Sequence, residues 1–333
     1  MSDGGAPTVV VTYPGFDDDD ERTAGALRAA GLAIRLEPRV NERTPAEVIG
    51  FMHSAVAGIV STDPFDREVF AACPRLRALA RVGVGFDAID LEAATEAGVA
   101  VMITPGLNSE TVADHTLALM LACVRRIVEN DASVRRGEWD RGGRHLGTAL
   151  SGATVGLVGL GTIGRAVSRR LVGFGVRQLG YDVVDSEVEH VTRVDLGELL
   201  RESDIVSLHV PLGAGTHELI GEPELALLRN GAILVNAARG RLVHEGALVR
   251  ALRDGRLAAA GLDVFPHEPP RDSPLLALSN VVLSPHIGGI GAGAQQAMLE
   301  MAVSAVLAVL AGMEPGGLVN PQVLTHTASG AGG

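Results

Sequence analysis

Short apolar runs rich in β-branched residues alternate along this chain with longer segments whose apolar positions recur every three or four residues. In the first third the pattern predicts strands at 8–12, 33–36, 57–60, 78–81 and 100–103, with helices at 23–30, 45–52 and 66–72 between them. Such a βα rhythm with short connections implies a mostly parallel sheet with helices on its faces. The rhythm breaks at Thr104-Pro105-Gly106, after which 108–129 reads as one long helix with apolar residues on more than one face. A polar, glycine-containing stretch over 135–144 carries Trp139. A second series then begins after Leu150, with strands at 154–158, 178–181, 205–208, 232–236, 258–262 and 281–283 and helices at 163–174, 196–201, 222–228 and 245–254. A last long helix, 295–310, follows the final strand, a position that suggests the chain returns to its first domain. The expected fold class is α/β with two parallel-sheet domains: residues 1–106 plus 291–333 form a discontinuous one, and 107–290 the other.

The most informative stretch runs from Val155 to Arg165, VGLVGLGTIGR. It joins a strand to a helix through Gly159, Gly161 and Gly164, with Thr162 and Ile163 opening the helix. The first glycine suits a tight turn, the second a close backbone approach to a pyrophosphate, and the third close helix-to-strand packing. The helix start offers free N–H groups and a positive dipole end. Asp182 ends the next strand, about twenty residues on, where a dinucleotide fold places the acid that bonds the adenosine ribose. Together these predict NAD as the cofactor. No arginine follows Asp182 directly, and a carboxylate there repels a 2′-phosphate, so NAD is expected over NADP.

Composition narrows the possibilities. At 333 residues the chain has room for two cores, and 47% apolar with 20% charged residues is the balance of a globular protein. A formal net charge of -12 argues against nucleic acid or an anionic membrane as the partner. The run Asp17–Asp20 with Glu21 reads as a solvated helix start, because consecutive acids do not converge on one ion without a turn to aim them. Cys73 and Cys123 lie in apolar surroundings without metal-ligand spacing, so buried thiols are expected and no metal site. MSDGGAPTVVV lacks a basic segment leading an apolar one, and the apolar runs 116–124 and 301–311 are shorter than a bilayer requires. A cytoplasmic location is expected by elimination.

Nearly every strand of the second series ends in a residue with chemistry to offer: the glycine turn, Asp182, His209, Arg239, Asp263 and His286. In open α/β sheets this is the edge where ligands bind. Taken as a set, Arg239, Glu268 and His286 supply what hydride transfer to a carbonyl needs. Arg239 can hold a carboxylate in bidentate geometry, and His286 can exchange a proton with the carbonyl oxygen. A carboxylate such as Glu268 on the far ring nitrogen fixes the imidazole and favours its protonated form. In the first series the strand at 78–81 runs into Val82-Gly83-Val84-Gly85, for which a structural turn and a ligand loop both remain open.

The segments ARVGVGFDAID, TPGLNSETVADHTLALML, VGLVGLGTIG, LHVPL, NAARG, GLDVFPHEP and SPHIGG, in this order, resemble the D-2-hydroxyacid dehydrogenase family, of which phosphoglycerate dehydrogenase is the best-known branch. The match covers nearly the whole chain. It implies two Rossmann-like or flavodoxin-like domains with a cleft between them, a substrate domain and an NAD-binding domain, and a homodimer formed through the latter. It implies Arg239, Glu268 and His286 as the catalytic trio. Arg81, Val82, Gly83, Val84, Gly85 and Asn108, with Arg239 and His286, are then expected to meet a small anionic substrate. His209, Val210, Pro211, Thr216, Ala237, Ala238, Arg239, Asp263, Gly288 and Gly289 are expected to line the nicotinamide half of the cofactor, with His286 also in the cofactor site.

The branch is left open. No regulatory domain is expected after the last helix, His244 stands where an acid is frequent, and Ile290-Gly-Ala-Gly replaces a threonine-bearing sequence. Arg81, and elsewhere Arg135, Arg136, Arg141, Arg144 and His145, are candidates for a second anionic group such as a phosphate, although solubilising charge is the favoured role for most of them. The leading expectation is a dehydrogenase of a D-2-hydroxy acid, phosphorylated substrates such as 3-phosphoglycerate included. A dehydrogenase of phosphite or a hydroxyphosphonate is the alternative; formate oxidation is disfavoured because that branch carries glutamine at the position of Glu268. An NAD-sensing protein without catalysis is the option from a different class.

Overall fold

The computed structural model describes residues 6–141, 143 and 146–324. The expectations for Arg144, His145 and the tail from Thr325 lie outside the described residues. The chain divides into two units, Met1–Asn108 with Gly291–Gly333, and Ser109–Ile290.

In the first unit the apolar runs form β1 (Thr8–Val11), β2 (Ala33–Leu36), β3 (Ala57–Val60), β4 (Ala78–Arg81) and β5 (Ala100–Met102). A wide helical turn at Glu21–Gly25 leads into α1 (Ala26–Ala29); α2 (Pro45–Met52), α3 (Arg67–Ala72) and α4 (Leu91–Glu96) follow. The five strands are parallel in the order β2-β1-β3-β4-β5, the doubly wound arrangement in which ligands meet the carboxyl edge. Side-chain caps mark the starts of α2, α3 and α4. Thr44 and Glu47 form a reciprocal capping box before Pro45, and Asp66 and Asp90 accept from the Val69 and Ala93 amides. The pattern of apolar positions missed α4, whose six residues include too few large apolar groups to show a period.

In the second unit α5 (Ser109–Arg125) and α6 (Ile127–Arg135) precede a seven-stranded sheet. The single long helix expected over 108–129 is therefore two helices. Arg126 takes a left-handed φ of 50°, and the Val124 carbonyl accepts from Thr148 N at 2.9 Å, outside the helix. The sheet contains β6 (Thr154–Val158), β7 (Arg177–Tyr181), β8 (Val191–Arg193), β9 (Ile205–Leu208), β10 (Ala232–Asn236), β11 (Leu257–Leu262) and β12 (Val281–Leu283). The intervening helices are α7 (Thr162–Leu171), α8 (Leu196–Glu202), α9 (Glu222–Leu227) and α10 (Glu245–Arg253). All strands are parallel in the order β12-β11-β10-β9-β6-β7-β8. The order reverses between β6 and β9, the crevice where a Rossmann fold takes its dinucleotide. Only β8 went unforeseen among the strands, a three-residue edge with a single fully apolar side chain.

The last helix, α11 (Ala292–Leu310), belongs to the first unit and packs on β3, β4 and β5 through buried Met298, Leu299, Ala302, Val303 and Val306. Its 19 residues are long and apolar enough, by length and composition, to cross a membrane, which corrects the shorter run read from the sequence. The segment after it closes the exposed edge of β5. Ile103 N donates to Gly317 O and Val319 N to Val101 O, while Asn320 accepts from Val101 N and donates to Val99 O and Thr95 Oγ1. An unpaired strand edge invites association, and this segment removes it. Asn320 is buried, so Asn320→Ala leaves a strand amide and a carbonyl without partners. We expect it to lower unfolding free energy by about 3 kcal/mol in urea titration; an unchanged midpoint would show that the clasp is dispensable.

Candidate active site

The glycines of the β6–α7 turn differ in what they do. Gly159 has a φ of 102°, and a side chain there would run into the His209 and Val210 backbone; at Gly164 it would meet the Gly159 carbonyl. These two are required by the protein itself. Gly161, at the start of α7, would meet no atom within 4 Å. Its missing side chain instead keeps space open beside Thr162, Ile163 and the positive end of α7, as the close approach of a pyrophosphate requires.

Asp182 is held across the turn, accepting from Leu160 N at 2.7 Å and Val184 N at 2.8 Å, one amide on each carboxylate oxygen. A carboxylate oxygen has a further lone pair, so both can still accept from ribose hydroxyls. Arg193 lies nearby but gives its guanidinium to the carbonyls of Asp182, Val184 and Ser186. At the end of β9, His209 N donates to Val158 O. The residue is partly exposed, yet its Nε2 is sealed from solvent and has no hydrogen-bond partner among the described residues. Burial pushes its pKa down to about 4, so the ring is neutral at physiological pH. Beyond Val210, Thr216 donates to Pro211 O at 2.7 Å and accepts from Gly213 N, fixing the turn. An open glycine at a helix start, an acid at the second strand end and an orphaned ring nitrogen fit a dinucleotide.

At the ends of β10, β11 and β12 the structure brings the proposed chemistry together. Asn236 shapes the Ala237–Ala238 turn, accepting from Ala238 N and donating to Arg239 O. Arg239 Nη1 donates to Ala238 O, and its charge reaches Glu268. Gly240 lets this turn lie against the next loop, since a side chain there would overlap the Phe265 and Pro266 backbone. Glu268 accepts from Phe265 N at 3.1 Å and meets His286 Nδ1 at 2.7 Å. Burial pushes the Glu268 carboxyl up, but His286, the Phe265 amide and Arg239 outweigh it and hold it below the usual value.

His286 has a φ of 53°, a left-handed conformation that costs a residue with a side chain about 1–2 kcal/mol. Asp263 holds the turn in it. That buried carboxylate accepts from Ser284 Oγ at 2.6 Å, Ile287 N at 2.9 Å and Gly288 N at 2.7 Å, and its backbone carbonyl takes the His286 amide. Burial raises the Asp263 pKa, while bonds from His115, Ser284 and the two amides bring it below the ordinary value. Asp263, expected to line the cofactor, spends its side chain on the turn that carries His286 and Gly288. Gly289 follows in the same turn, partly buried.

In the first unit, Arg81 is buried at the end of β4 and donates to Val82 O. A side chain at Gly83, whose φ is 131°, would collide with its guanidinium. Gly83 exchanges bonds with Thr104, whose hydroxyl accepts from Gly83 N at 2.7 Å. Val84 and Gly85 continue this loop, and Asn108 is buried with its Oδ1 unpartnered among the described residues. Sequence reasoning assigned no role to Asn236, Ser284 or His115. Of the three, Asn236 carries a local signal, a turn-forming side chain at the end of an apolar strand.

Residues 117–288 match the family model for the D-isomer specific 2-hydroxyacid dehydrogenase NAD binding domain. The chain belongs to this family. It is 47% identical over 271 residues to glyoxylate reductase of Korarchaeum cryptofilum, covering 79% of this chain and 82% of that protein. It is 43% identical to D-3-phosphoglycerate dehydrogenase of Methanocaldococcus jannaschii over 76% of this chain but 49% of that longer protein. D-lactate dehydrogenase of Aquifex aeolicus, solved with NAD and lactic acid, superposes with a TM-score of 0.84 at 30% identity, over 94% of this chain and 99% of that one. The chain is thus an NAD-dependent 2-hydroxyacid dehydrogenase, and the residues that match the NAD binding domain model fall within the second unit.

The neutral His209 predicts a pH effect. Its folded pKa lies below the ordinary 6.5, so between these values the unfolded chain binds a proton that the folded chain does not. Stability is full above pH 6.5 and falls by up to about 3 kcal/mol as the pH drops to 4. Urea unfolding of the wild type and His209→Asn at several pH values should show a shallower loss in the variant; parallel curves would contradict the assignment.

Proposed function

We propose that the enzyme interconverts a small D-2-hydroxy acid and its 2-oxo acid, with His286 and Glu268 as the acid/base pair and Arg239 as the anchor of the substrate carboxylate. The observation that carries this reading is the 2.7 Å contact of His286 Nδ1 with Glu268, beside the charge of Arg239. Bound nicotinamide supplies or accepts the hydride. Because Glu268 occupies Nδ1, Nε2 is the nitrogen left to pass a proton to the substrate oxygen during reduction and to recover it during oxidation. Arg239 grips the carboxylate in a bidentate fork and keeps the neighbouring carbonyl polarised. Glu268 compensates the charge that His286 carries before it gives up its proton.

We assign NAD recognition to Gly159, Gly161, Gly164 and Asp182, with preference over NADP because the fixed Asp182 carboxylate repels a 2′-phosphate. His209, Val210, Pro211, Thr216, Ala237, Ala238, Gly288 and Gly289 are proposed to border the nicotinamide. Val82, Gly83, Val84, Gly85 and Asn108 are proposed substrate contacts. Similarity to glyoxylate reductases favours a two-carbon or three-carbon 2-oxo acid. A phosphorylated substrate is the second reading, supported by the buried guanidinium of Arg81 at the head of that loop.

We also propose a cytoplasmic homodimer. Free, buried Cys73 and Cys123 suit a reducing compartment, and exposed Ile127, Val128, Val134 and Trp139 offer apolar surface on the second unit. Sedimentation at twice the chain mass is the check on assembly.

Turnover is tested by following NADH and NADPH absorbance with glyoxylate, hydroxypyruvate and phosphohydroxypyruvate, and with phosphite or a hydroxyphosphonate in the oxidative direction. We expect a 2-oxo acid to react, NADH to outperform NADPH, and His286→Ala to lose roughly 10²–10⁴ in kcat with NADH binding retained. NADH binding without turnover of any compound would favour a sensor, and unchanged turnover in His286→Ala would remove His286 from proton transfer.

A further inference from the structure

Behind the turn that carries His286, a third side chain reaches the Asp263 carboxylate from a different layer of the fold. His115, on α5, has its Nε2 2.8 Å from Ser284 Oγ and 3.3 Å from Asp263 Oδ1. Hydrogen positions follow from counting. Ser284 has one hydroxyl proton and gives it to Asp263 at 2.6 Å, so its oxygen must accept from His115. His115 is therefore held with its proton on Nε2, shared between the serine and the carboxylate.

The register of α5 on the sheet makes this contact possible. A side chain on Gly261 would come within 3.0 Å of Leu119 Cβ and 3.3 Å of Cys123 Sγ, so helix and strand touch closely there. Asp263 lies two residues beyond Gly261, directly after the last residue of β11, about 6.6 Å on at strand rise. His115 lies four residues before Leu119 along α5, about 6.0 Å at helix rise. The two steps match, and the imidazole arrives at the strand end. The buried positions of this helix are mostly apolar, Val112, Leu119, Met120 and Cys123 among them, with Ser109 and Thr116 the polar ones.

We propose that His115 is a positioning residue for His286, acting through the Ser284–Asp263 pair to hold the left-handed turn from which His286 meets Glu268. The proposal rests on His286 being the proton-transfer group, and it adds a residue from α5 to that machinery. His115 donates into the same carboxylate as the Ile287 and Gly288 amides, the two residues immediately after His286. Losing it leaves Ser284 free to turn and Asp263 short of a donor, while the glycine loop and Asp182 are untouched. The effect therefore falls on kcat and spares cofactor binding.

The test uses the full chain and four forms: wild type, His115→Ala, His115→Gln and His286→Ala, together with the double variant His115→Ala/His286→Ala. Each is assayed for kcat and KM with NADH and the 2-oxo acid turned over best by the wild type, and for NADH affinity by fluorescence titration. We expect His115→Ala to lower kcat about tenfold, the equivalent of one charge-assisted hydrogen bond, with KM and NADH affinity within about twofold. His115→Gln, which restores an N–H donor, should recover most of the rate. In the double variant His115→Ala should cost nothing further, because the group it positions is gone.

An unchanged kcat, a loss confined to NADH affinity, or the same tenfold loss on top of His286→Ala would each overturn the proposal. Failure of the underlying reading is separate: it shows as full turnover in His286→Ala, whatever His115→Ala does. Imidazole nitrogen shifts in ¹⁵N-histidine-labelled protein read the same point without turnover. The His286 resonances, assigned by their loss in His286→Ala, should move in His115→Ala and return in His115→Gln; unmoved resonances count against the proposal.

Discussion

The carboxylate of Asp263 carries its charge inside the second unit, almost wholly removed from water. An unpaired buried carboxylate would cost several kcal/mol, so its surroundings are not optional. Four donors answer it: His115 Nε2, Ser284 Oγ and the amides of Ile287 and Gly288. These donors come from α5 and from the segment after β12, and the acceptor ends β11. Satisfying one charge thereby ties a helix and two strand ends together and holds His286 in a backbone conformation it would otherwise avoid. The meeting of His286 with Glu268 is built on that turn.

Glycines do the complementary work, where atoms must approach more closely than any side chain permits. Gly240 lets the Arg239 turn rest on the loop leading to Glu268, and Gly261 seats α5 on β11. Gly159 and Gly164 close the β6–α7 turn onto itself and onto the end of β9. Gly161 is the exception, since no protein atom needs the space it leaves. That separation of folding glycines from a ligand-facing one supports a dinucleotide at the switch between β6 and β9, where the topology alone favours it.

Much of this is legible in the amino-acid sequence. The strands over 33–36, 57–60, 78–81, 154–158, 205–208, 232–236 and 281–283 have the bounds their apolar runs suggest. Continuous burial makes such parallel strands plain in sequence. Features set by tertiary contacts stayed hidden. The break at Arg126 depends on Thr148 capturing a carbonyl from 24 residues away, and β8 exists only because β7 offers it an edge. Asp263 was visible as a strand-end acid, but its role in the His286 turn was not, because its partners His115 and Ser284 are 148 and 21 residues distant and look ordinary where they stand. Conversely, Arg239, Glu268 and His286 are each ordinary alone and are legible only as a set, one group to bind a carboxylate and two to handle a proton, and through the resemblance of the motifs that carry them.

The proposed reaction requires the substrate carboxylate on Arg239, with its carbonyl oxygen facing the ring nitrogen of His286 that Glu268 does not occupy. A crystal structure with NADH and an inert 2-oxo acid analogue such as oxamate tests it most directly. We expect the carboxylate on the Arg239 guanidinium and the carbonyl oxygen within hydrogen-bond reach of His286 Nε2, about 2.6–3.2 Å. An analogue held away from Arg239, or with its carbonyl oxygen facing any group other than His286, would contradict it.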